Sequence, residues 1–462
     1  MVAFRLDEIA AKLAGRIVQG DPNRAFDKFG IDSRLSEPGG LFFAIVARRN
    51  GHDFIPDAAR KGAAGAVISQ DVIPPKDDFA LLRVGDTMAA LQELGRAALA
   101  SCPVKVVGIT GSIGKTTTKE FAASLISGRY RVLKSEGNLN NRLGLALSVL
   151  RLQPVHQVAV LEMAMSAAGE IRALTRIAPP DIAVITNVNP VHQEFFPDLD
   201  SIALAKKEIL EGLKKEGTAV LNGDDPLVEK ISRGWKGRRI SFGFSPGSDI
   251  QASGIQKLGE NGLAFELRVG VNREKVRFGF LYEEYLYNLL AAVGAGRALD
   301  VPFADLCREI PRLRPLPGRG MLFRLNRGIR VIDDSYNSNP KALASALKGL
   351  SGLPAKRRIA VIGDMLELGK NEAAFHRAAG EQAAESGWDV LVTVGLLGSH
   401  TAAGARGAGI PASRIFSFSD SSSAAEKVPG LLQEGDLVLV KGSRGVRTEQ
   451  VVEKLKEAFK EN

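Results

Sequence analysis

Apolar runs too short to be helices recur along this chain, and between them lie stretches whose apolar residues fall at helical spacing. In residues 1–83, LFFAI (41–45), AGAVIS (64–69) and ALLRV (80–84) read as strands, with DFIPDAARKGA (53–63) helical between the first two. Residues 84–314 open on a helix, TMAALQELGRAALA (87–100). They continue through the strand-like runs VKVVGIT (104–110), QVAVLEM (157–163), DIAVITN (181–187) and GTAVLN (217–222), again with helices between. Strands alternating with helices predict a parallel sheet. RLRPLPGRG (312–320) is rich in Pro and Gly and reads as a linker. Beyond it, residues 315–462 form a third α/β block, with strands in GIRVIDD, RRIAVIGDM, WDVLVTVG and GDLVLVKGS and a helix in NEAAFHRAAGEQAAESG. The expectation is an α/β protein of three domains, and no internal repeat suggests a solenoid.

Between the strand VKVVGIT and the helix TTTKEFAASLI lies GSIGK, giving GITGSIGKTTTKE (108–120) overall. A glycine turn there aims free N–H groups and a helix N-terminus at an anion. A strict phosphate-loop pattern has glycine five positions before the Gly-Lys pair, where this chain has Ile109. The strand, turn, Lys115-Thr116 and helix are nonetheless all in place, so phosphate binding is preferred over a glycine turn with a chance lysine. Gly111, Ser112, Gly114, Lys115, Thr116 and Thr117 are the candidate phosphate-binding residues.

A nucleotide phosphate brings Mg²⁺, which takes hydroxyl and carboxylate oxygens. Thr116 can supply the first. Glu162 ends a strand of the same sheet, where ligand crevices form, and can supply the second unless it simply faces water. His192, past the next strand, is a lone loop histidine and an atypical magnesium ligand. In the helix DSIALAKKEILEGLKK (200–215), Lys206 falls inside the apolar stripe of Ile202, Ile209, Leu210 and Leu213, and Lys207 falls outside it. A lysine so placed must snorkel, find a partner or lose its charge. The polar loops LNGDDP (221–226), IDDSYNSNP (332–340) and KGSRG (441–445) follow apolar runs and suit ribose, metal, carboxylate or phosphate contacts, or plain loop capping.

Composition narrows this little. With 45% hydrophobic and 24% charged residues, the chain is neither disordered nor fibrous. No apolar run reaches the roughly 18 residues of a membrane span. Asp7 and Glu8 sit where a signal peptide would be apolar, and two cysteines cannot make a disulfide framework, so a reducing, cytoplasmic setting is expected. A net charge of +9 is scattered, and five tyrosines and two tryptophans leave little for base stacking. An anionic metabolite is favoured over nucleic acid.

Taken together, IDSR (31–34), GHDFI (51–55), GITGSIGKTTTKE, GNLNN (137–141), VLEMAM with GEI, DDSYNSNP, GDMLELG (363–369) and VLVKGSRG resemble the Mur ligases, ATP-dependent amide-forming enzymes of peptidoglycan synthesis. The resemblance covers nearly the whole chain. It implies an N-terminal UDP-sugar-binding domain (1–83), a central ATP-binding domain with a P-loop-type parallel sheet and flanking helices (84–314), and a C-terminal Rossmann-like ligase domain (315–462). DDSYNSNP and GDMLELG point to the member that uses UDP-N-acetylmuramoyl-tripeptide and D-alanyl-D-alanine, with another Mur-type ligase, a folate polyglutamate ligase or a P-loop switch as alternatives. The implied cofactors are ATP and Mg²⁺. Lys115 would hold phosphates, and Thr116 and Glu162 would hold Mg²⁺. His192 would belong to a second Mg²⁺ site, and Lys206 occupies a position that is carbamylated in relatives, giving an anionic oxygen ligand. Asn288 would meet adenine, and Arg319 and Asp334 the γ-phosphate and ribose. Ser33 and Arg34 would face the UDP-sugar. Asn138, Asn141, Tyr336, Asn337, Lys441, Ser443 and Arg444 complete the expected substrate contacts. A monomer that closes on its substrates is expected. Asn50 departs from the family, which usually has Asp there.

Overall fold

A computed structural model describes residues 2–190 and 196–461. The chain divides into two compact units. The first comprises Met1–Val188, Asp200–Asp249 and Asn288–Leu306, and the second Asn189–Leu199, Ile250–Tyr287 and Cys307–Asn462.

The first unit holds two main sheets. Residues 16–83 form a five-stranded sheet ordered Arg16–Gln19, Ala80–Arg83, Gly65–Ile68, Leu41–Phe43, Phe29–Gly30, parallel except at its first pair. Helix Thr87–Ala100 begins where Asp86 accepts from the N–H groups of Met88 and Ala89 at 2.7 and 3.0 Å, a side-chain cap for two otherwise orphan donors. The second sheet is parallel, ordered Arg238–Gly243, Thr218–Asn222, Ile182–Ile185, Lys105–Thr110, Val158–Glu162, Val132–Lys134. Its inner strands are apolar on both faces and almost fully buried, as a parallel sheet covered by helices requires. Their C-terminal ends gather Thr110, Glu162, Ile185 and Asn222 along one edge, which places the candidate site.

The second unit contains an antiparallel meander, Ile250–Lys257, Leu263–Val269 and Asn272–Phe278, absent from the sequence reading. Alternation of buried and half-buried residues along Leu263–Val269 is its sequence signal. The unit also contains a six-stranded sheet ordered Met321–Arg324, Arg330–Asp334, Asp436–Lys441, Arg357–Gly363, Val390–Val394, Ile415–Phe418, antiparallel only at the first pair. Period-two alternation splits its strands between two cores: Ala360, Ile362, Leu437 and Leu439 pack on one face, and Ile359, Val361, Val438 and Val440 on the other. Of residues 312–320, read as a linker, Arg312 ends a short 3-10 turn and 313–320 carry no helix or strand.

Among the described residues no helix is long and apolar enough to cross a membrane. Cys102 and Cys307 are unpaired. Burial, and then the charge of Glu274, push the Cys307 thiol up to about 11, so it is protonated at neutral pH.

Candidate active site

The loop after strand Lys105–Thr110 turns through Gly111 (φ +148°) and Gly114 (φ +84°) into helix Lys115–Ser127. At both glycines a side chain would be strained by the backbone and would force a neighbouring side chain to move. A Cβ on Gly111 would lie 1.9 Å from Thr186 Oγ1, and one on Gly114 2.0 Å from Asn288 Oδ1. The neighbouring strand end clamps the loop. Asn187 accepts from Ile113 N (2.9 Å) and Ser112 N (3.0 Å), while Thr186 Oγ1 and Asn187 Nδ2 donate to Ile113 O at 2.8 and 3.0 Å. Lys115 Nζ donates to the carbonyls of Gly111 and Ser112 at 2.9 and 3.2 Å. Thr117 is buried, and Thr118 Oγ1 reaches Asn288 Oδ1 at 3.4 Å. Asn288 thus lies against the loop, next to the helix N-terminus.

Thr116 Oγ1 donates to Glu162 Oε2 at 2.8 Å. The other carboxylate oxygen accepts from Asn140 Nδ2 at 2.9 Å, and Glu162 N donates to Ser135 Oγ at 3.1 Å. Glu162 is 2% exposed, so it is a held carboxylate rather than a strand end facing water. Among the described residues no group of three or more His, Cys, Asp or Glu side chains could hold a metal. One carboxylate beside one hydroxyl nevertheless fits Mg²⁺, which keeps several waters and takes substrate phosphates as ligands.

Lys206 is 2% exposed, on the buried face of helix Leu199–Glu211. Among the described residues its ammonium makes no hydrogen bond or ion pair. Burial, and then the positive charge of Lys115, hold its pKa well below the ordinary lysine value. Of the three routes open to such a lysine, snorkelling and pairing within the described residues are therefore not taken. One turn face is pinned by Glu208, whose carboxylate accepts from Gly169 N at 2.6 Å and Arg172 N at 3.0 Å, capping the neighbouring helix Glu170–Ile177. That contact, with Gly169 at φ +86°, is the physical content of the GEI signature. His192 lies outside the described residues.

In the second unit another group of expected residues converges. Asp334 and Lys441, assigned to different ligands by resemblance, pair at 2.7 Å, and Lys441 also donates to Asn337 O at 3.0 Å. Burial pushes the Asp334 carboxyl up, against the pull of Lys441 and Arg319. The Arg319 and Arg444 guanidinium groups lie 4.2 and 5.4 Å from the centre of the Tyr336 ring, within cation–π range. Ser443 Oγ accepts from Leu366 N at 2.9 Å and reaches Ser338 O at 3.4 Å, joining KGSRG, DDSYNSNP and GDMLELG at one crest. Ser443 thus bridges the two motifs that point to one member of the family.

Other expected residues have local structural work. Asn141 caps helix Arg142–Leu150 by accepting from Gly144 N at 2.9 Å, and Asn138 is exposed. Ser33 is buried in a short 3-10 turn capped by Asp32, and Arg34 pairs back onto Asp32 at 2.6 Å. Asn50 keeps the capping role open to an Asp, accepting from His52 N at 3.2 Å and contacting His52 Nδ1 at 2.8 Å. In LNGDDP, Asp225 caps helix Pro226–Ser232 and holds Val188 N, and Asp224 holds Phe244 N and Ser245 N. Asp225 thus caps a helix and Asp224 a loop. The residues that sequence reasoning passed over are Asn140, Thr186 and Asn187. Asn140 lay inside the quoted GNLNN, but nothing in the sequence distinguished it from its neighbours.

Residues 109–296 match the Mur ligase middle domain, and residues 318–444 the Mur ligase, glutamate ligase domain. The chain is 33% identical to the UDP-N-acetylmuramoyl-tripeptide–D-alanyl-D-alanine ligase of Bacillus subtilis (strain 168), with 92% of each chain covered. It is 32% identical to the Escherichia coli (strain K12) ligase of the same name, with 99% of each covered. Among solved structures, MurF from Acinetobacter baumannii superposes with a TM-score of 0.90 at 29% identity over 99% of both chains. MurF ligase from Thermotoga maritima in complex with ADP gives 0.80 at 31% identity, over 93% of this chain and 97% of that one.

Proposed function

The chain belongs to the Mur ligase family, with its three-domain architecture, and we propose which residues carry out its reaction and by what route. It is an ATP-dependent ligase that joins D-alanyl-D-alanine to UDP-N-acetylmuramoyl-tripeptide in peptidoglycan precursor synthesis. The observation that carries the residue assignment is the held Thr116–Glu162 pair beside a glycine loop that has room for a Cβ at Gly111 or Gly114 only if Thr186 or Asn288 moves.

The route proposed has two steps. The tripeptide's terminal carboxylate attacks the γ-phosphorus of ATP, forming an acyl phosphate and releasing ADP. The amine of D-alanyl-D-alanine then attacks the acyl carbon, and phosphate leaves. A carboxylate has no good leaving group until it is phosphorylated, which is why ATP is consumed. The chain supplies position and charge. Loop N–H groups and Lys115 cradle the phosphates, and Asn288 meets the base. Arg319, which lies over the Tyr336 ring, would contact the γ-phosphate, and Asp334 the ribose. Lys441, Ser443, Arg444 and Asn337 receive the amine substrate, and Ser33, Arg34, Asn138 and Asn141 the UDP-muramoyl end. Thr116 and Glu162 would hold Mg²⁺, whose charge would offset that of the phosphates. Lys206 has the burial and depressed basicity expected of an amine that takes up CO₂, and the resulting carbamate turns a wrong-signed residue into an oxygen ligand. His192 would serve a second Mg²⁺. We place the enzyme in the cytoplasm, as a monomer.

The test is ADP release from MgATP and UDP-muramoyl-tripeptide, with and without D-alanyl-D-alanine. Release that requires both, with a product heavier by the dipeptide less one water, is expected. ADP release indifferent to both substrates would overturn the ligase reading in favour of a P-loop switch.

A further inference from the structure

Lys119 is fully buried, with 0% of its surface exposed, four residues beyond Lys115 on the same helix. An ammonium is costly to bury unless its donors are met. Here they are: Nζ donates to Ser135 O at 2.6 Å and Gly137 O at 3.4 Å, and lies 3.1 Å from Glu120 Oε1. Two of the three acceptors are backbone carbonyls of the strap 135–140, which follows strand Val132–Lys134. The same strap supplies two of the three groups that hold Glu162. Ser135 Oγ accepts from Glu162 N at 3.1 Å, and Asn140 Nδ2 donates to Glu162 Oε1 at 2.9 Å. Asn140 O accepts from Ala164 N at 3.0 Å, tying the strap's far end to the chain just past Glu162.

We propose that Lys119 is a positioning residue for the divalent-cation site: by holding the strap 135–140 against the phosphate-loop helix, it fixes the orientation of the Glu162 carboxylate. Gly137, at φ +50° with open space where a Cβ would stand, lets the strap turn sharply, so the strap has no packed side chain at that point to hold it. The Lys119 ammonium supplies the missing restraint. Without it the strap keeps only its backbone end bonds, Ser135 N to Val160 O at 3.1 Å and Ala164 N to Asn140 O at 3.0 Å, and its middle loosens, so that Asn140 Nδ2 no longer holds the carboxylate in one orientation. Side chains that orient metal ligands in this way change metal affinity without touching the metal.

The inference rests on the reading of Glu162 as a metal ligand, and the test separates the two. Mn²⁺ binding to the full-length protein with ADP present is followed by electron paramagnetic resonance, and ADP binding in EDTA by fluorescence. In Lys119→Met, Mn²⁺ affinity is expected to fall about tenfold or more, while metal-free ADP affinity stays within about twofold. Lys119→Gln, which keeps a donor near Ser135 O, is the variant to use if Met does not fold, and carries the same expectation at about threefold or more. Unchanged Mn²⁺ affinity in whichever variant folds overturns the inference, as does a parallel loss of metal-free ADP binding, which would mark a role in holding the helix alone. Glu162→Gln is run beside them: if it leaves Mn²⁺ affinity unchanged, the metal reading itself fails. If it abolishes binding while the Lys119 variants keep it, only the role of Lys119 fails.

Discussion

Replacing Gly111 by alanine tests the phosphate loop where the geometry is tightest. The new methyl would stand 1.9 Å from Thr186 Oγ1, 3.1 Å from Thr186 Cβ and 3.2 Å from Asn187 N. Two costs follow. The backbone at φ +148° suits glycine, and an L side chain held in such a conformation costs about 1–3 kcal/mol. Thr186 must also rotate its hydroxyl away, losing its 2.8 Å bond to Ile113 O, a net loss of about 0.5–1.5 kcal/mol. A loop that must recover roughly 2–4 kcal/mol to adopt its binding shape loses about thirty- to several-hundred-fold in nucleotide affinity. The assay is ADP titration by calorimetry, with a thermal melt to show that the fold persists. Thr186→Ala separates the two costs. It removes the clashing oxygen, and the remaining contacts at 3.1 and 3.2 Å need a shift of only a few tenths of an ångström. The double variant should therefore bind ADP about as well as Gly111→Ala alone, not weaker by the added cost of Thr186→Ala, a coupling of about 1 kcal/mol. Gly111→Ala binding ADP within about threefold of the parent, or a double variant weaker than Gly111→Ala by the full cost of Thr186→Ala, would refute the steric argument.

Three further outcomes are expected. Lys206→Ala should abolish ligation, and a short-chain carboxylic acid should restore part of it by replacing the carbamate; full activity in the untreated variant would end that assignment. Asn141→Ala should cost about 1 kcal/mol in a melt through loss of the helix cap, and Asn141→Ser should recover it; a raised KM for the UDP substrate in the Ser variant at parental stability would then separate substrate contact from capping. Burial holds the His52 pKa below its ordinary value, and its Nε2 accepts from Ser69 N at 2.9 Å, a bond only the neutral ring can make. Because the folded value is the lower one, the stability His52 contributes is complete above about pH 6.5 and is lost as pH falls through the folded value. Melts between neutral and mildly acid pH should show that loss, and His52→Gln should flatten the slope; an identical slope in the variant would remove His52 as its source.

Much of this molecule could be read before any coordinates. Buried parallel strands announce themselves as short apolar runs, and a glycine turn before Lys-Thr announces an anion, because both signals are local. The stripe of Ile202, Ile209, Leu210 and Leu213 put Lys206 on the inward face of its helix, where it is found 2% exposed. Local signals failed where long-range pairing set the outcome. The acids of LNGDDP and the asparagines of GNLNN looked alike in sequence, yet Asp224 holds loop N–H groups and Asp225 a helix N-terminus while Asn140 holds the Glu162 carboxylate, because the fold brings different partners to each. Tertiary structure alone decided that Lys206 has no partner among the described residues while Lys119 has three. It alone joined Asp334 to Lys441 across 107 residues of chain. Periodicity says which face of an element is buried. What a buried polar group meets there depends on segments far away in sequence, and this protein's chemistry rests on those meetings.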